Sequence, residues 1–307
     1  MIETTRFEEL LPLELLAHQV VEGFITGLHK SPFHGFSVEF AENRLYNQGE
    51  SVKHIDWKLY GRTDRLYVKR FEEETNLRCQ LVIDGSSSMY YPLTEKPSLE
   101  KLDKMTFSVY AAAAIIQLLY KQRDASGLSI FTDDVKVHTE AHSNMVHRKF
   151  LFTRLSELID NVKDKTGKAT RAAGALHQIA DNIHKRSLVI IFSDMFDNTF
   201  DSDLFSALQH LKHNKHEVIL FHVTDKKAEL DFAFENKPYK FIDLESGEEI
   251  KIRPQEIRES YVNRVEEFKS ELVKRCAQYR IEFVEADINL GFKQILLPFL
   301  LKRMKML

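Results

Sequence analysis

The stretch that decides the fold is Leu81-Val82-Ile83-Asp84-Gly85-Ser86-Ser87-Ser88-Met89. It completes an apolar run that begins at Cys79 and contains β-branched residues, as a buried strand does. A parallel strand covered on both faces needs apolar side chains, so Asp84 marks the strand end, where open α/β sheets bind ligands. Asp84, Ser86 and Ser88 offer the oxygen ligands that hard cations prefer, although Asp, Gly and Ser also favour an ordinary strand-to-helix turn.

The chain beyond this stretch alternates between predicted strands and helices. A long helix is predicted over Ser98 to Arg123, with Ser98 as its N-cap, and the clearest buried strand is Leu188 to Phe192, followed by Asp194. Such β-α-β alternation predicts an α/β fold with a doubly wound, mostly parallel sheet and helices on both faces. A β-hairpin is predicted as an insertion at about residues 225–254.

The predicted domain organisation has two parts. Residues 1–78 are expected to form an N-terminal helix and a β-rich collar packed on the main domain, which spans residues 79–307 and includes the inserted hairpin. Regular alternation of strands and helices begins at Cys79. Before it, residues 42–57 show little periodicity, whereas Arg65 to Phe71 alternate as a strand with one solvent-exposed face does.

Composition excludes several classes of protein. The chain has 307 residues, 43% of them hydrophobic and 29% charged, and a formal net charge of -3, which gives no support to nucleic-acid binding driven by bulk charge. Two cysteines make no disulfide framework, and we see neither a secretory signal nor an apolar run long enough to cross a membrane. We therefore expect a cytoplasmic protein without a membrane span.

Two acidic residues are expected to meet in the crevice of the sheet. In a doubly wound sheet the first strand and the strand after the return lie side by side, which would bring Asp84 and Asp194 together. Thr170 begins the helix that leads to the Asp194 strand, on the same edge. Two carboxylates this close repel each other, so a divalent cation would neutralise them.

The pattern Asp84-x-Ser86-x-Ser88, followed by Thr170 and Asp194, resembles the metal-ion-dependent adhesion site of von Willebrand factor A domains. The resemblance implies that these five residues bind Mg²⁺, or Mn²⁺, directly or through water. It also implies that one coordination position is left for a carboxylate of an acidic protein ligand. The ion would then act as a bridge and not as a catalyst, and the protein would not be an enzyme.

The flanking sequence resembles one bacterial branch of that fold, the domain-of-unknown-function family fifty-eight. The resemblance covers nearly the whole chain and includes Arg44-x-Tyr46-x-x-Gly49-Glu50, Ile55-Asp56-Trp57 and Val68-Lys69-Arg70-Phe71-Glu72. Members are typically encoded beside MoxR-type AAA+ ATPases, which implies an adaptor that works with such an ATPase in the assembly or maturation of protein complexes.

Four residues are candidates for partner contact. Lys168 and Arg171 flank Thr170 where the resembled family has small residues. These cations could weaken metal binding, replace the ion by pairing with the acids, or recognise an acidic partner. Asp56 and Trp57 belong to the predicted collar, which we expect to be structural and to contribute to partner contact.

Two other functions remain open from the residues alone. A metal-dependent hydrolase would need a general base near the ion, and His222 is the candidate that the predicted sheet places near the rim. A metal-free interaction scaffold would result if Lys168 or Arg171 took the position of the cation. No Walker-type glycine-rich loop is present, so nucleotide binding by this chain is not expected.

Overall fold

The structure, a computed structural model, describes residues 12–29, 43–45, 57–69, 77–93, 101–160, 172–195, 202–244 and 247–306. The helices in these segments are α1 (Pro12–His29), α2 (Trp57–Thr63), α3 (Lys104–Lys121), α4 (Met145–Asp160), α5 (Ala172–Asn182), α6 (Ser202–His213), α7 (Pro254–Gln278) and α8 (Lys293–Met306). The strands are β1 (Asn43–Leu45), β2 (Tyr67–Lys69), β3 (Arg78–Asp84), β4 (Ala125–Phe131), β5 (Val135–His138), β6 (Leu188–Ser193), β7 (Glu217–Thr224), β8 (Tyr239–Ile242), β9 (Glu249–Ile252) and β10 (Glu282–Asp287). None of the helices within these segments is long and apolar enough to cross a membrane.

Six strands form the central sheet, in the order β10-β7-β6-β3-β4-β5. All neighbours in it are parallel except β4 and β5, which pair antiparallel. From β3 the chain grows toward β5, then returns to β6 on the other side of β3 and grows toward β10. The α/β fold with a doubly wound, mostly parallel sheet is therefore confirmed, and the crevice opens between the carboxyl ends of β3 and β6.

Helices cover both faces of this sheet. Helices α5, α6 and α7 share one hydrophobic core with alternating strand residues such as Val189 and Ile191. Helix α3 packs against α4 and α8, and the start of α1 is tied to α4 by an ion pair of 2.5 Å between Glu14 and Arg148. The strands between these layers are apolar because water reaches neither face, and Cys79 and Leu188 are fully buried.

The predicted insertion lies between β7 and α7. It contains a π-helix of five residues, Lys226–Leu230, and the antiparallel pair β8–β9. Phe232 stacks on Phe241 of β8 at 5.6 Å between ring centroids, and it also lies 4.4 Å from Tyr261 of α7. The aromatic rings therefore fix the hairpin against the helix that follows it.

The contacts among the described residues divide the chain into two units. The main unit consists of the described residues up to Gly23 together with those from Leu77 onward. The second unit, within Phe24–Asn76, contains the antiparallel pair β1–β2 and helix α2. We predicted that residues 1–78, including the N-terminal helix, form one part; in the structure the described residues of that helix up to Gly23 belong to the main unit, and the second unit ends before Leu77.

Helix α3 begins six residues later than predicted. Its first residue is Lys104, because the carboxylate of Asp103 accepts a hydrogen bond of 2.6 Å from the backbone N–H of Thr106 and caps the helix there. Ser98, the predicted N-cap, lies outside the described residues. This correction moves Lys104 from the interior of the predicted helix to its first turn, at the carboxyl edge of the sheet.

Gly127 of β4 provides a test of the packing beside β3. A methyl group at this position would collide with the side-chain amide of Gln80 and lie 2.8 Å from the carbonyl oxygen of Thr139. We expect Gly127→Ala to lower the free energy of unfolding by about 2 kcal/mol, measured by urea denaturation. The control Gly174→Ala, in helix α5 with no atom within 4 Å of the new methyl group, should raise it by about 0.5–1 kcal/mol. Equal effects of the two substitutions would contradict the packing described.

Candidate functional site at the carboxyl ends of β3 and β6

Asp84 is the last residue of β3, and its carboxylate is held from two sides. One oxygen, Oδ1, accepts a hydrogen bond of 2.9 Å from the backbone N–H of Ser86. The other, Oδ2, accepts one of 2.6 Å from the hydroxyl of Ser193, the last residue of β6. Asp84 is only 2% exposed, so these two donors orient a carboxylate that is almost shielded from water.

The turn after Asp84 leaves little room for a side chain at Gly85. The backbone N–H of Gly85 donates to the carbonyl of Phe131 at 2.6 Å, and a Cβ at this position would lie 3.0 Å from that same oxygen. The turn is therefore anchored to β4, and a 3₁₀-helix, Ser87–Tyr90, follows it. This places the hydroxyl oxygens of Ser86 and Ser88 3.0 Å apart. Ser86 is fully buried, whereas Ser88 is half-buried.

Asp194 follows directly after β6, in the same crevice. Strands β3 and β6 run parallel with Ile83 opposite Phe192, so Asp84 and the Asp194 segment leave the sheet side by side. The backbone carbonyl of Asp194 lies 2.9 Å from Nε2 of His222, which donates to it. The structure thus brings together four of the residues predicted for the metal site: Asp84, Ser86, Ser88 and Asp194.

A lysine that the sequence analysis did not predict completes this cluster. The ammonium of Lys104 lies 2.8 Å from Oδ2 of Asp194 and 2.5 Å from Oε1 of Glu229, and the lysine side chain is 1% exposed. Glu229 belongs to the π-helix at the start of the insertion, and its other oxygen accepts a hydrogen bond of 2.8 Å from the backbone N–H of Asp225. Lys104 is therefore a buried cation with two carboxylate partners.

The electrostatics of the cluster follow from its burial. The pKa of Asp84 is raised to about 6. Burial is the largest cause and the negative charge of Asp194 is the second, whereas hydrogen bonds from Ser193 and Ser86 lower the pKa. Burial also raises the pKa of Glu229, with Lys104 opposing. Burial alone would lower the pKa of Lys104, but Asp194 and Glu229 outweigh it and raise that pKa. Lys104 is bonded to the carboxylates of Asp194 and Glu229, whereas neutral N–H and hydroxyl donors hold the carboxylate of Asp84.

The donors of the cluster fit a hard divalent cation. The hydroxyls of Ser86 and Ser88 are hydrogen-bonded to each other at 3.0 Å. Two ligands at right angles around a cation with bonds of about 2.1 Å have the same separation, so a bound ion could take the place of this hydrogen bond without moving either oxygen. Each oxygen of Asp84 has a second lone pair beside the one used in its hydrogen bond. No group of three or more His, Cys, Asp or Glu side chains in the described segments is arranged to hold a metal, so the serine hydroxyls are essential to this fit.

Comparison with known proteins identifies the family. The family model described as "Protein of unknown function DUF58" matches residues 42–271. This chain is a DUF58 protein. The membership predicted from the sequence is confirmed.

The curated relatives of this DUF58 protein are uncharacterised. They include one protein of Mycobacterium bovis and one of Mycobacterium tuberculosis, each 25% identical over 185 residues, or 60% of this chain and 56% of the relative. This chain therefore spans little more than half the length of the curated relatives that it matches.

Solved structures with a similar fold are distant. The conserved hypothetical protein BatB from Bacteroides thetaiotaomicron has a TM-score of 0.46 and 12% identity, covering 75% of this chain and 98% of that one. The PilB minor pilin from Streptococcus sanguinis has a TM-score of 0.43 and 9% identity, covering 79% of this chain and 64% of that one. Similarity at this level carries no argument about the function of this DUF58 protein.

Several predicted site residues lie outside the described part of the chain. These are Thr170, for the metal, and Lys168, Arg171 and Asp56, for partner contact. Trp57 is the first residue of α2 in the second unit, and its backbone alone is described. The metal role of Thr170 and the partner roles of the other four residues therefore stay predictions.

His222, the candidate base of a hydrolase, lies below the cluster on β7. It is 2% exposed, and burial foremost lowers its pKa to about 4, with the charge of Asp194 opposing. Its Nε2–H donates a hydrogen bond to the backbone carbonyl of Asp194. The neutral imidazole thus fixes the backbone that carries Asp194, in a position without direct access to solvent.

The raised pKa of Asp84 predicts how stability depends on pH in metal-free buffer. Because its folded pKa of about 6 exceeds the ordinary 3.8, the folded protein binds this proton more tightly than the unfolded chain. The resulting stabilisation is fully present below pH 3.8 and is lost as the pH rises through 6. Between pH 5 and pH 7.5, the free energy of unfolding of wild type should therefore fall by about 1 kcal/mol more than that of Asp84→Asn. The measurement is urea unfolding with a chelator present.

The control for this measurement is Glu267→Gln, which changes an exposed carboxyl group of α7. Its stability should follow the wild-type pH dependence. Parallel curves for wild type and Asp84→Asn would show that Asp84 does not carry the raised pKa.

Proposed function

We propose that this DUF58 protein is a non-enzymatic adaptor whose contact with a partner depends on Mg²⁺ or Mn²⁺. The observation that supports the proposal best is the oxygen cluster of Asp84, Ser86 and Ser88, with its hydroxyls 3.0 Å apart beside the buried carboxylates of Asp84 and Asp194. When bound, the ion would supply a positive bridge to a carboxylate of an acidic protein ligand.

The residues of the chain have distinct roles in this proposal. Asp84, oriented by Ser193 and the Ser86 N–H, neutralises the ion, while the hydroxyls of Ser86 and Ser88 complete two adjacent ligand positions. Asp194, already paired with Lys104, contributes through water. Thr170 is proposed as the ligand from the preceding loop.

The partner is proposed from the resemblance described above. A MoxR-type AAA+ ATPase would recruit the adaptor to the assembly or maturation of protein complexes. Lys168 and Arg171 are proposed to attract an acidic ligand, and Asp56 and Trp57 to extend the contact. The cytoplasm, where such ATPases work, is the proposed location.

A metal-independent scaffold is the second candidate, and one observation favours it. Lys104 lies 2.8 Å from Asp194 and already places a positive charge in the crevice. In the sequence analysis this role fell to Lys168 or Arg171. The hydrolase has no comparable support, because His222 is buried and bonded to a backbone carbonyl.

Metal binding is tested by titration calorimetry of the full chain with Mg²⁺ and Mn²⁺. We expect binding to one site, weakened at least about tenfold in Asp84→Asn and in Ser86→Ala because each removes a ligand oxygen or its charge. The control Asp181→Asn, at the exposed end of α5 on the opposite edge of the sheet, should bind as wild type does. Absence of heat at millimolar metal in the wild-type protein would rule out the metal-dependent adaptor and leave the scaffold.

Partner binding is tested with the purified MoxR-type ATPase of the same organism. Immobilised wild-type protein should retain the ATPase in Mg²⁺ buffer and release it on addition of chelator, whereas Asp84→Asn should retain little in either buffer. Asp181→Asn should again match wild type. Retention that is equal with and without chelator would favour the scaffold, and no retention by the wild type would remove this partner from the proposal.

A further inference from the structure

Lys104 is unusual because a lysine is almost never fully buried. Its ammonium lies 2.8 Å from Asp194 and 2.5 Å from Glu229, and the Tyr91 ring lies 5.9 Å from the charge. A cation in the first turn of a helix also opposes the helix dipole. Its position at the start of α3 is therefore explained by the two carboxylates and not by the helix.

We infer that Lys104 is a built-in competitor of the divalent cation, which keeps Asp194 out of direct coordination and sets the affinity of the site. The inference rests on the proposed function, since it concerns the regulation of the same site. Lys104 is thus a positioning residue, and Glu229 acts on the site through it.

The geometry gives two reasons for this competition. First, Oδ2 of Asp194 accepts a charged hydrogen bond from Lys104, so a metal that bound this carboxylate directly would come within a few ångströms of the ammonium, unlike a metal at Asp84, whose donors are neutral. Second, the ammonium and a dication beside Asp84 would share one crevice with little water between them, and like charges repel strongly there.

Glu229 opposes the effect of Lys104. The negative charge of its carboxylate offsets part of the positive charge of the ammonium and makes the crevice more negative. Because the π-helix that carries Glu229 begins the insertion, the insertion contributes directly to the electrostatics of the metal site.

The test is Mn²⁺ binding to the full chain, measured by titration calorimetry on four variants and wild type. Lys104→Met removes the competing charge and should bind Mn²⁺ at least about tenfold more tightly. Glu229→Gln removes a negative charge that offsets Lys104, so this variant should bind Mn²⁺ about threefold or more weakly than wild type. The control Lys121→Met, at the exposed end of the same helix, should stay within about twofold of wild type.

The double variant Lys104→Met/Glu229→Gln separates positioning from net charge. It has the wild-type net charge, yet its Asp194 is released, so we expect Mn²⁺ binding several times tighter than in wild type. Affinity equal to wild type in the double variant would overturn the positioning role. The double variant is the deciding measurement if Lys104→Met alone does not fold. It removes the charge of Glu229 together with that of Lys104, so fewer buried charges lose their partner.

The remaining outcomes distinguish this inference from the proposed function. If wild type and Lys104→Met bind Mn²⁺ equally, the inference is wrong and the metal-dependent adaptor stands. If Lys104→Met binds and wild type does not, the inference is supported and the metal-dependent adaptor is wrong. If neither binds, both are wrong. Thermal unfolding with and without Mn²⁺ gives a second readout, in which Lys104→Met should gain more stability from the metal than wild type does.

Discussion

The burial of acidic side chains at the ends of two adjacent parallel strands is the constraint on which this structure depends. Asp84 and Asp194 are 2% and 1% exposed, and charges so placed must be neutralised or hydrogen-bonded. The Ser86 N–H, the Ser193 hydroxyl and Lys104 meet part of that need. A divalent cation bound to the oxygens of Asp84, Ser86 and Ser88, as we propose, would neutralise the carboxylate of Asp84, whose described donors are neutral groups.

The groups that interact with these buried carboxylates belong to elements that are far apart along the chain. Lys104 belongs to the first helix after β3, and Glu229 belongs to the insertion after β7. The carboxylate of Asp225 accepts a hydrogen bond of 3.0 Å from the side-chain amide of Asn289, in the turn after β10. The residues bonded to the carboxylates of Asp194 and Glu229 thus come from helix α3 and from the insertion, which are distant in sequence.

The sequence predicted the sheet well because periodicity is a local property. The apolar runs that end at Asp84 and Asp194 have the length and composition of buried strands, and the doubly wound topology then brings those two residues together. Lys104 could not be found in this way, since its partners lie 90 and 125 residues away. The available signal was Asp103, which directly precedes the continuous helical pattern and is therefore a better N-cap than Ser98. With Asp103 as the N-cap, Lys104 would have been predicted in the first turn of the helix, at the crevice.

The location of a bound ion tests the central claim most directly. A crystal of the full chain grown with Mn²⁺ and measured at the manganese absorption edge would locate the ion by its anomalous signal. We predict one peak within about 2.5 Å of oxygens of Asp84, Ser86 and Ser88, with Lys104 still bonded to Asp194. No peak in the crevice, or a peak bound directly to Asp194 with Lys104 displaced, would contradict the account.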